Sequence, residues 1–237
     1  MADRFIEQVT PMVITYNEAP NIARCLDRLT WARRILVIDS GSTDDTIAII
    51  RRYPQALILH RAFDSFATQC NFGLRQIETS WVLSLDADYE LSEQFVAEIE
   101  NLDSQGLAAY EASFVYCIYG RPLRGSLYPP RKVLYRVDRA EYKNEGHGHR
   151  VTVDGRIGRL QSPINHDDRK SLDRWFVSQL RYAGREADYL ITADQSVLRR
   201  PDRVRRLAWP APILVFFYTL IFKRCILDGW PGWLYVL

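Results

Sequence analysis

Short apolar runs alternate with helical stretches over the first hundred residues. Four runs are apolar nearly throughout, as expected for strands buried on both faces, at residues 9–15, 34–39, 56–60 and 81–85. Between these runs, apolar spacing and capping signals predict helices at residues 20–29, 44–51 and 65–77. The alternation predicts an α/β fold with a mostly parallel sheet, in which ligands bind beyond the carboxyl ends of the strands.

The second half of the chain begins with a different pattern. Residues 107–119 and 128–137 are strand-like and flank a loop containing Gly and Pro, which predicts a β-hairpin. Residues 171–190 have apolar residues at helical spacing. The second half therefore extends the α/β pattern with a hairpin and a long helix.

An apolar run at residues 213–222 follows, with basic residues on both sides. It is shorter than the ~20 residues that span a bilayer, and its aromatic content is typical of an amphipathic helix lying in a membrane interface. A core helix packed on the sheet, or a dimer contact, is the alternative. The chain ends inside another apolar stretch, 233–237, so we expect the natural protein to continue.

Charge is distributed unevenly along the 237 residues. Residues 121–206 contain 20 Lys or Arg and 11 Asp or Glu, a surplus of +9, whereas the whole chain has a net charge of +2 and the remainder therefore −7. The surplus predicts an anionic partner. Because the basic residues form no nucleic-acid-binding motif, we expect a phosphorylated lipid or an anionic membrane surface and no nucleic acid. A solvated basic face is the alternative.

The cysteines and the N-terminus both indicate the cytoplasm. The four cysteines are far apart and form no CxxC pair, which favours buried reduced thiols over a zinc or redox site. The first dozen residues carry charges and no continuous apolar stretch, so no secretory signal is visible.

Polar loops follow three of the four predicted strands, at residues 15–18, 39–46 and 86–88. Carboxylates brought together destabilise a fold unless a cation or hydrogen-bond donors offset them. Asp86 and Asp88, two residues apart after a buried strand, can hold a hard divalent ion that also takes phosphate oxygens as ligands. Asp44 is expected instead to cap a helix.

These loops resemble the motifs of family 2 glycosyltransferases, which have the Rossmann-like GT-A fold with helices flanking the sheet. The resemblance is carried by residues 13–18, 38–46 and 86–88. A narrower resemblance, to lipopolysaccharide core and other cell-envelope glycosyltransferases, rests on residues 166–168, 175–187 and 227–230. It implies inverting transfer of a sugar from a nucleotide diphosphate, with UDP expected, to a lipid-linked saccharide.

The resemblance also implies roles for individual residues. Asp39 contacts the base, Asp86 lies near the ribose and metal, and Asp88 binds Mg²⁺ or Mn²⁺ directly. His166 completes the metal site, with a structural histidine as the alternative. The nucleotide-binding set comprises Thr15, Tyr16, Asn17, Glu18, Asp39, Ser40 and Asp86.

An inverting transfer needs a general base for the acceptor hydroxyl. Related envelope enzymes carry a His-Glu pair before a Val-Asp-Gly turn, whereas residues 145–150 here read Glu-Gly-His-Gly-His-Arg. Glu145 is favoured by residue type and His149 by position, and His147 is the third candidate. The candidates for binding donor or acceptor phosphate are Arg131, Arg136 and Arg150.

We therefore expect a donor-binding half at residues 1–105, an acceptor-binding half at 106–200 and a membrane-interface segment at 201–237, peripheral on the inner face of a bacterial plasma membrane. Two other classes stay open. Sugar nucleotidyltransferases usually have a Gly-rich, Arg-containing loop after the first strand, and none occurs here. A non-catalytic nucleotide-sugar-binding protein would need neither the loop at 145–149 nor His166.

Overall fold

A seven-stranded sheet forms the centre of the molecule. The computed structural model describes residues 4–103, 106–145, 148–194, 200–206 and 209–237. Its strands are β1 (Val9–Thr15), β2 (Ile35–Asp39), β3 (Ala56–His60), β4 (Trp81–Asp86), β5 (Tyr89–Glu90), β6 (Leu107–Ala112), β7 (Phe114–Ile118), β8 (Arg121–Pro122), β9 (Arg131–Arg136), β10 (Ala140–Glu145), β11 (Gly148–Val153), β12 (Arg156–Arg159) and β13 (Ile164–His166).

The helices connect these strands or follow them. They are α1 (Ile22–Asp27), α2 (Thr46–Ile50), α3 (Phe66–Leu74), α4 (Glu93–Glu100), α5 (Leu172–Thr192), α6 (Arg200–Arg205), α7 (Pro210–Phe217) and α8 (Trp230–Val236). Shorter 3-10 or π turns lie at Phe5–Gln8, Val137–Arg139, Tyr218–Phe222 and Cys225–Asp228.

The central sheet has the order β12-β6-β9-β4-β1-β2-β3 and is mainly parallel. β9 alone runs antiparallel to its neighbours β4 and β6 among the described strands. Apolar side chains fill both faces: Trp81 and Phe95 belong to one core, and Met12 and Tyr135 to the other. The predicted α/β fold and its four N-terminal strands are confirmed. The prediction works because strands buried on both faces need the continuous apolar runs that the sequence has.

The predicted hairpin forms only in part. β6 pairs with β9 antiparallel, with Ala109 opposite Tyr135. The strand-like run at 107–119 divides at Ser113, however, and β7 leaves for a second sheet of order β5-β13-β7-β8. This sheet forms because β13 pairs parallel with β7 and antiparallel with β5, a long-range contact that local periodicity does not report.

A two-stranded hairpin of β10 and β11 packs beside α3. The Asn71 side chain donates to the carbonyl of Tyr142 and accepts from its N–H, both at 2.9 Å. The Tyr142 hydroxyl lies 2.9 Å from Ser84 Oγ, on β4. β9 ends at Arg136, opposite Trp81 at the start of β4, and β10 follows a few residues later. Tyr142 on β10 then lies beside Ser84, further along β4.

The predicted long helix is confirmed as α5, which Ser171 caps by accepting from the N–H of Arg174. Its apolar residues are largely exposed, among them Phe176, Val177 and Leu180. Within the described ranges, no helix is both long enough and apolar enough to cross a bilayer. All four cysteines are buried free thiols, as predicted.

Candidate functional site

Three polar loops meet at the carboxyl ends of β1, β2 and β4. Thr15 lies opposite Asp39 in the parallel pairing of β1 with β2, and Ile14 lies opposite Asp86 in the pairing of β1 with β4. Parallel pairing therefore brings the residues that follow these strands to one edge of the sheet, as the loop positions predict.

Asp39 organises the loop after β2. Its Oδ2 accepts from the N–H groups of Gly41 and Ser42 at 2.8 and 3.0 Å, and its Oδ1 accepts from the hydroxyls of Ser42 and Thr15 at 2.5 and 3.2 Å. Burial opposes ionisation of Asp39, but these donors outweigh it and lower its pKa. Gly41 has φ +90°, a left-handed conformation that favours glycine. The carboxylate therefore holds the loop in a tight turn.

Asn17 joins the loop after β1 to the loop after β2. Its Oδ1 accepts from the N–H groups of Thr43 and Asp44 at 2.7 and 3.3 Å, and its own N–H donates to Ser42 Oγ at 2.8 Å. The backbone of Asn17 is left-handed, with φ +55°, which asparagine tolerates better than most residues. Asn17 thus fixes loop geometry with both its side chain and its backbone.

The remaining members of the predicted nucleotide-binding set differ in exposure. Ser40 Oγ accepts from Gln69 Nε2 at 2.8 Å, and Gln69 is fully buried. Tyr16, by contrast, is 55% exposed at the edge of the site. Thr15, Asn17 and Ser40 therefore shape the loops, whereas the ring of Tyr16 is accessible to a ligand.

Asp86 stands at the end of β4 with its carboxylate partly open to solvent. Arg131 Nη1 lies 3.9 Å from Asp86 Oδ2, and the Arg131 guanidinium lies 4.6 Å from the ring centroid of Tyr128. Burial lowers the pKa of Arg131, but the neighbouring Tyr89, Tyr128 and Asp86 outweigh this effect and raise it. The structure thus brings one of the three predicted phosphate-binding arginines beside Asp86.

Asp88 and His166 form a buried pair. His166 Nε2 lies 3.2 Å from Asp88 Oδ2, and the two side chains are 13% and 12% exposed. Burial lowers the pKa of His166, but Asp88, Asp86 and Asp168 outweigh it and raise that pKa. The pairing arises because β13 places His166 opposite Tyr89, one residue after Asp88.

This pair carries the features of a cation site. Asp88 Oδ1 and His166 Nδ1 are buried and have no hydrogen-bond partner within the described part of the chain. A buried polar atom without a partner is costly, so Asp88 Oδ1 suits an additional ligand. No cluster of three or more His, Cys, Asp or Glu side chains suited to a metal is found in the described residues. The donor set fits an ion that takes most of its ligands from phosphate and water, as Mg²⁺ does.

Glu18 has a buried partner that the sequence did not indicate. Lys170 Nζ donates to the two carboxylate oxygens of Glu18 at 2.7 and 2.9 Å and also lies 3.1 Å from Asp168 Oδ1. Burial raises the pKa of Glu18 to about 7, against the opposing effect of Lys170. Glu18 therefore ties the loop after β1 to the segment after β13. Only the proximity of Lys170 to the residue 166–168 motif could have suggested this pairing.

Asp167 is the centre of a second buried network that sequence reasoning missed. Its carboxylate lies 2.9 Å from Arg24 Nη1 and 2.8 Å from Arg169 Nη2, and it accepts from the N–H of Gly120 at 3.0 Å. Arg24 also pairs with Glu90. These contacts join α1, β5 and the β7–β8 turn around one buried carboxylate.

Two of the three candidate general bases, Glu145 and His149, lie on the strands of the β10–β11 hairpin. Glu145 pairs with Gly148 in the hairpin ladder, and His149 pairs with Asn144. His147 lies outside the described residues. Arg150 is on the same hairpin, paired with Lys143.

Arg136 is the one predicted phosphate-binding residue that the structure places elsewhere. It lies opposite Trp81, at the start of β4, and its guanidinium pairs with Asp138 at 3.0 Å. The interpretation of Arg136 as a phosphate ligand of this site was therefore wrong. β9 runs antiparallel to β4, so its first residue, Arg131, and its last residue, Arg136, lie at opposite ends of the sheet.

Comparisons with known proteins show the family to which the chain belongs. A family model for glycosyl transferase family 2 matches residues 12–166. The lipopolysaccharide core biosynthesis glycosyltransferase LpsC of Rhizobium meliloti (strain 1021) is 26% identical over 93% of this chain and 84% of its own length.

Two solved structures share the fold. The mannosyltransferase PcManGT from Pyrobaculum calidifontis, in complex with GDP-Man and Mn²⁺, has a TM-score of 0.54 and 15% identity, covering 94% of this chain and 87% of that chain. S. aureus TarS 1-349, in complex with UDP-GlcNAc, has a TM-score of 0.52 and 16% identity, covering 97% of this chain and 79% of that chain.

Replacing Asp39 should destabilise the protein in a pH-dependent way. Asp39→Asn loses an acceptor for several buried donors, and we expect the free energy of unfolding to fall by about 1–3 kcal/mol at pH 7. Because the folded-state pKa of Asp39 lies below its ordinary value of 3.8, the carboxylate stabilises the fold above that pH and loses this effect as the pH falls toward the folded-state value. Urea denaturation at several pH values measures the difference.

Asp45→Asn provides the matched control, since Asp45 is an exposed carboxylate in the same loop. Its free energy of unfolding should stay within about 0.5 kcal/mol of the wild type. A constant difference between wild type and Asp39→Asn through pH 3 would contradict the assigned role of the Asp39 carboxylate.

Proposed function

Because this chain belongs to glycosyltransferase family 2 and has the GT-A fold, we propose that it transfers a sugar with inversion from a nucleotide diphosphate to a lipid-linked saccharide of the cell envelope. The observation that carries the proposal is the cluster of Asp86, Asp88, Arg131 and His166 beside the loop organised by Asp39. The name of the similar LpsC, a lipopolysaccharide core enzyme, supports an envelope acceptor.

The donor half, residues 1–105, would bind the nucleotide at the edge where β1 and β2 end. In this proposal Asp39 accepts from the base, and Tyr16 packs against the base or ribose with its exposed ring. Glu18, held by Lys170, supports the wall of the pocket rather than reaching the ligand by itself. TarS in complex with UDP-GlcNAc, which shares the fold, supports UDP as the nucleotide.

The diphosphate would lie between Asp86, Asp88 and Arg131. Asp88 and Asp86 would hold a divalent ion, either Mg²⁺ or Mn²⁺, with His166 Nε2, the nitrogen that faces Asp88, as a further donor. When bound, such an ion would neutralise the negative charge that develops on the leaving diphosphate. Arg131 lies on the same side and would bind a phosphate oxygen.

The acceptor half, residues 106–200, would supply the general base from the hairpin tip. Glu145 or His149 would remove the proton from the acceptor hydroxyl as its oxygen attacks the sugar carbon opposite the diphosphate. The direction of the hairpin, from the start of β4 past Ser84, supports this placement. Arg150, next to His149, is proposed to bind phosphate of the acceptor.

The segment at 201–237 is proposed to lie on the inner face of a bacterial plasma membrane. It exposes many large apolar side chains, and basic residues flank them. The exposed apolar residues include Trp209, Ile213, Leu214, Phe217, Ile221, Phe222, Ile226 and Leu227. An exposed apolar surface of this kind with cationic flanks suits an anionic lipid interface.

Donor binding should depend on metal and on Asp88. In a thermal-shift panel of UDP, GDP and UDP-GlcNAc with and without Mn²⁺, the matching nucleotide should raise Tm more when Mn²⁺ is present than when it is absent. At one hundred times Kd, ligand binding stabilises the folded state by about 2.7 kcal/mol. Asp88→Asn should abolish the metal-dependent part of the shift because it removes a charged ligand.

Asp138→Asn is the control for this panel, since Asp138 pairs with Arg136 at the opposite end of β4. It should keep the full metal-dependent shift. A metal-dependent shift of wild-type size in Asp88→Asn would exclude the proposed metal site.

Loss of the general base should separate binding from turnover. Among Glu145→Gln, His147→Gln and His149→Gln, we expect one variant to keep the nucleotide-dependent thermal shift and to lose roughly 10²–10⁴-fold in kcat. Glu141→Gln changes an exposed carboxylate of the same hairpin and should leave kcat unchanged. Near-wild-type kcat in all three variants would rule out a base at this hairpin tip.

Membrane binding should require the apolar side chains near residues 213–222. Phe217 and Phe222 are 52% and 76% exposed, and burying such a side chain contributes about 1.5–3 kcal/mol. The double variant Phe217→Ser, Phe222→Ser should therefore bind anionic phospholipid vesicles at least about tenfold more weakly in co-sedimentation. Transfer to a lipid-embedded acceptor should fall in parallel, whereas transfer to the delipidated saccharide should not change.

Ile191→Ser serves as the control because Ile191 is 76% exposed on α5, outside this segment. It should bind vesicles as the wild type does. Failure of the wild type to sediment with anionic vesicles would disprove the membrane-surface role.

A further inference from the structure

The C-terminal segment, residues 209–237, is attached to the loop around residues 121–128 by specific contacts. Asp228 accepts from the N–H of Arg124 at 3.1 Å, and its other oxygen lies 3.2 Å from Arg124 Nε. The Asp228 side chain is only 7% exposed. The Arg121 guanidinium lies 5.4 Å from a ring centroid of Trp230. The segment is therefore anchored by charge and ring contacts as well as by apolar packing.

Gly125 allows this attachment to be close, and Gly232 allows the segment itself to fold tightly. A Cβ on Gly125 would lie 2.6 Å from the carbonyl oxygen of Lys223, and a Cβ on Gly232 would lie 1.8 Å from the carbonyl oxygen of Cys225. Neither position can accommodate a side chain without a backbone shift. The backbone of the loop at 124–128 therefore packs directly against the backbone of the C-terminal segment, which glycine permits because it has no side chain.

Tyr235 on α8 reaches toward the residues around His166. Its hydroxyl accepts from the N–H of Leu127 at 2.8 Å, and its ring centroid lies 4.9 Å from that of Tyr116. Leu127 directly precedes Tyr128 in the chain. Tyr235 therefore holds both the strand position of Tyr116 and the backbone that carries Tyr128.

Tyr116 and Tyr128 are in turn the walls of the His166 site. Each ring centroid lies 4.7 Å from that of His166, in edge-to-face orientation. The Tyr128 hydroxyl lies 2.6 Å from that of Tyr89, whose ring also packs against His166. Three tyrosines thus fix the plane of the imidazole that meets Asp88. Of these, Tyr116 contacts the ring of Tyr235, and Tyr128 directly follows Leu127, whose N–H donates to Tyr235.

We propose that Tyr235 is a positioning residue of the metal site: through Tyr116 and the Leu127–Tyr128 backbone it orients His166 against Asp88. This inference rests on the proposed use of Asp88 and His166 for a divalent ion. Outer-shell partners of a metal-binding histidine typically contribute 10–100-fold to metal affinity, and Tyr235 acts through two residues that pack on His166, Tyr116 and Tyr128. The last turns of the chain therefore belong to the catalytic site as well as to the proposed membrane segment.

The test is the affinity of the full chain for Mn²⁺ in the presence of UDP, measured by calorimetry and by the electron paramagnetic resonance of bound Mn²⁺. Tyr235→Ala should weaken Mn²⁺ binding roughly tenfold or more and alter the spectrum. Tyr235→Phe keeps the ring contact with Tyr116 and should lose less affinity. UDP affinity measured without metal should stay at the wild-type value, because Tyr235 acts on Leu127 and Tyr116, which lie outside the Asp39 loop.

Tyr218→Ala is the matched control, since Tyr218 lies in the same segment, is 48% exposed and packs on Phe222. It should bind Mn²⁺ as the wild type does. Wild-type Mn²⁺ affinity in Tyr235→Ala, or in Tyr235→Phe if the alanine variant does not fold by circular dichroism, overturns the inference. Absence of Mn²⁺ binding to the wild type would instead refute the metal site itself.

Discussion

The concentration of carboxylates at the carboxyl end of the central sheet constrains the rest of the molecule. Asp39 and Asp86 end two strands, Asp88 follows immediately, and Glu18 lies on the neighbouring loop. Like charges at this range repel one another strongly in a partly buried site. The fold is stable only because each carboxylate has its own compensation, and the compensations differ in kind.

Neutral donors compensate Asp39, whereas basic side chains compensate the others. Backbone N–H groups and hydroxyls surround the Asp39 carboxylate, which leaves it ionised and fixed in position. Glu18 has Lys170, Asp86 has Arg131 and Asp88 has His166. These three partners come from residues 131–170, so the second half of the chain completes a site whose acidic residues belong to the first half.

The same dependence links the end of the chain to the site. The second sheet places His166 between Tyr116 and Tyr89, and the C-terminal segment closes against the loop that carries Tyr128. The side chains of this segment that remain exposed are largely apolar, unlike the charged and hydrogen-bonding groups that anchor it. One segment therefore combines a polar, specific attachment to the rest of the chain with an exposed apolar surface.

The sequence by itself determined the alternating strands and helices, the parallel sheet and the loops at its carboxyl edge. These features are local: burial on both faces demands continuous apolar runs, and parallel strands bring their ends to one edge. The gathering of Asp39, Asp86 and Asp88 at that edge therefore follows from their positions in the chain.

Only the tertiary structure decided which residues pair with those carboxylates. The Glu18–Lys170, Arg24–Asp167 and Leu127–Tyr235 contacts each join residues more than a hundred positions apart, and such pairings leave no periodic signal. The antiparallel direction of β9 likewise placed Arg131, rather than Arg136, at the carboxyl edge of the sheet, although the sequence treats the two alike. Strand direction and long-range packing set these outcomes because they depend on the folded chain as a whole rather than on any segment of it.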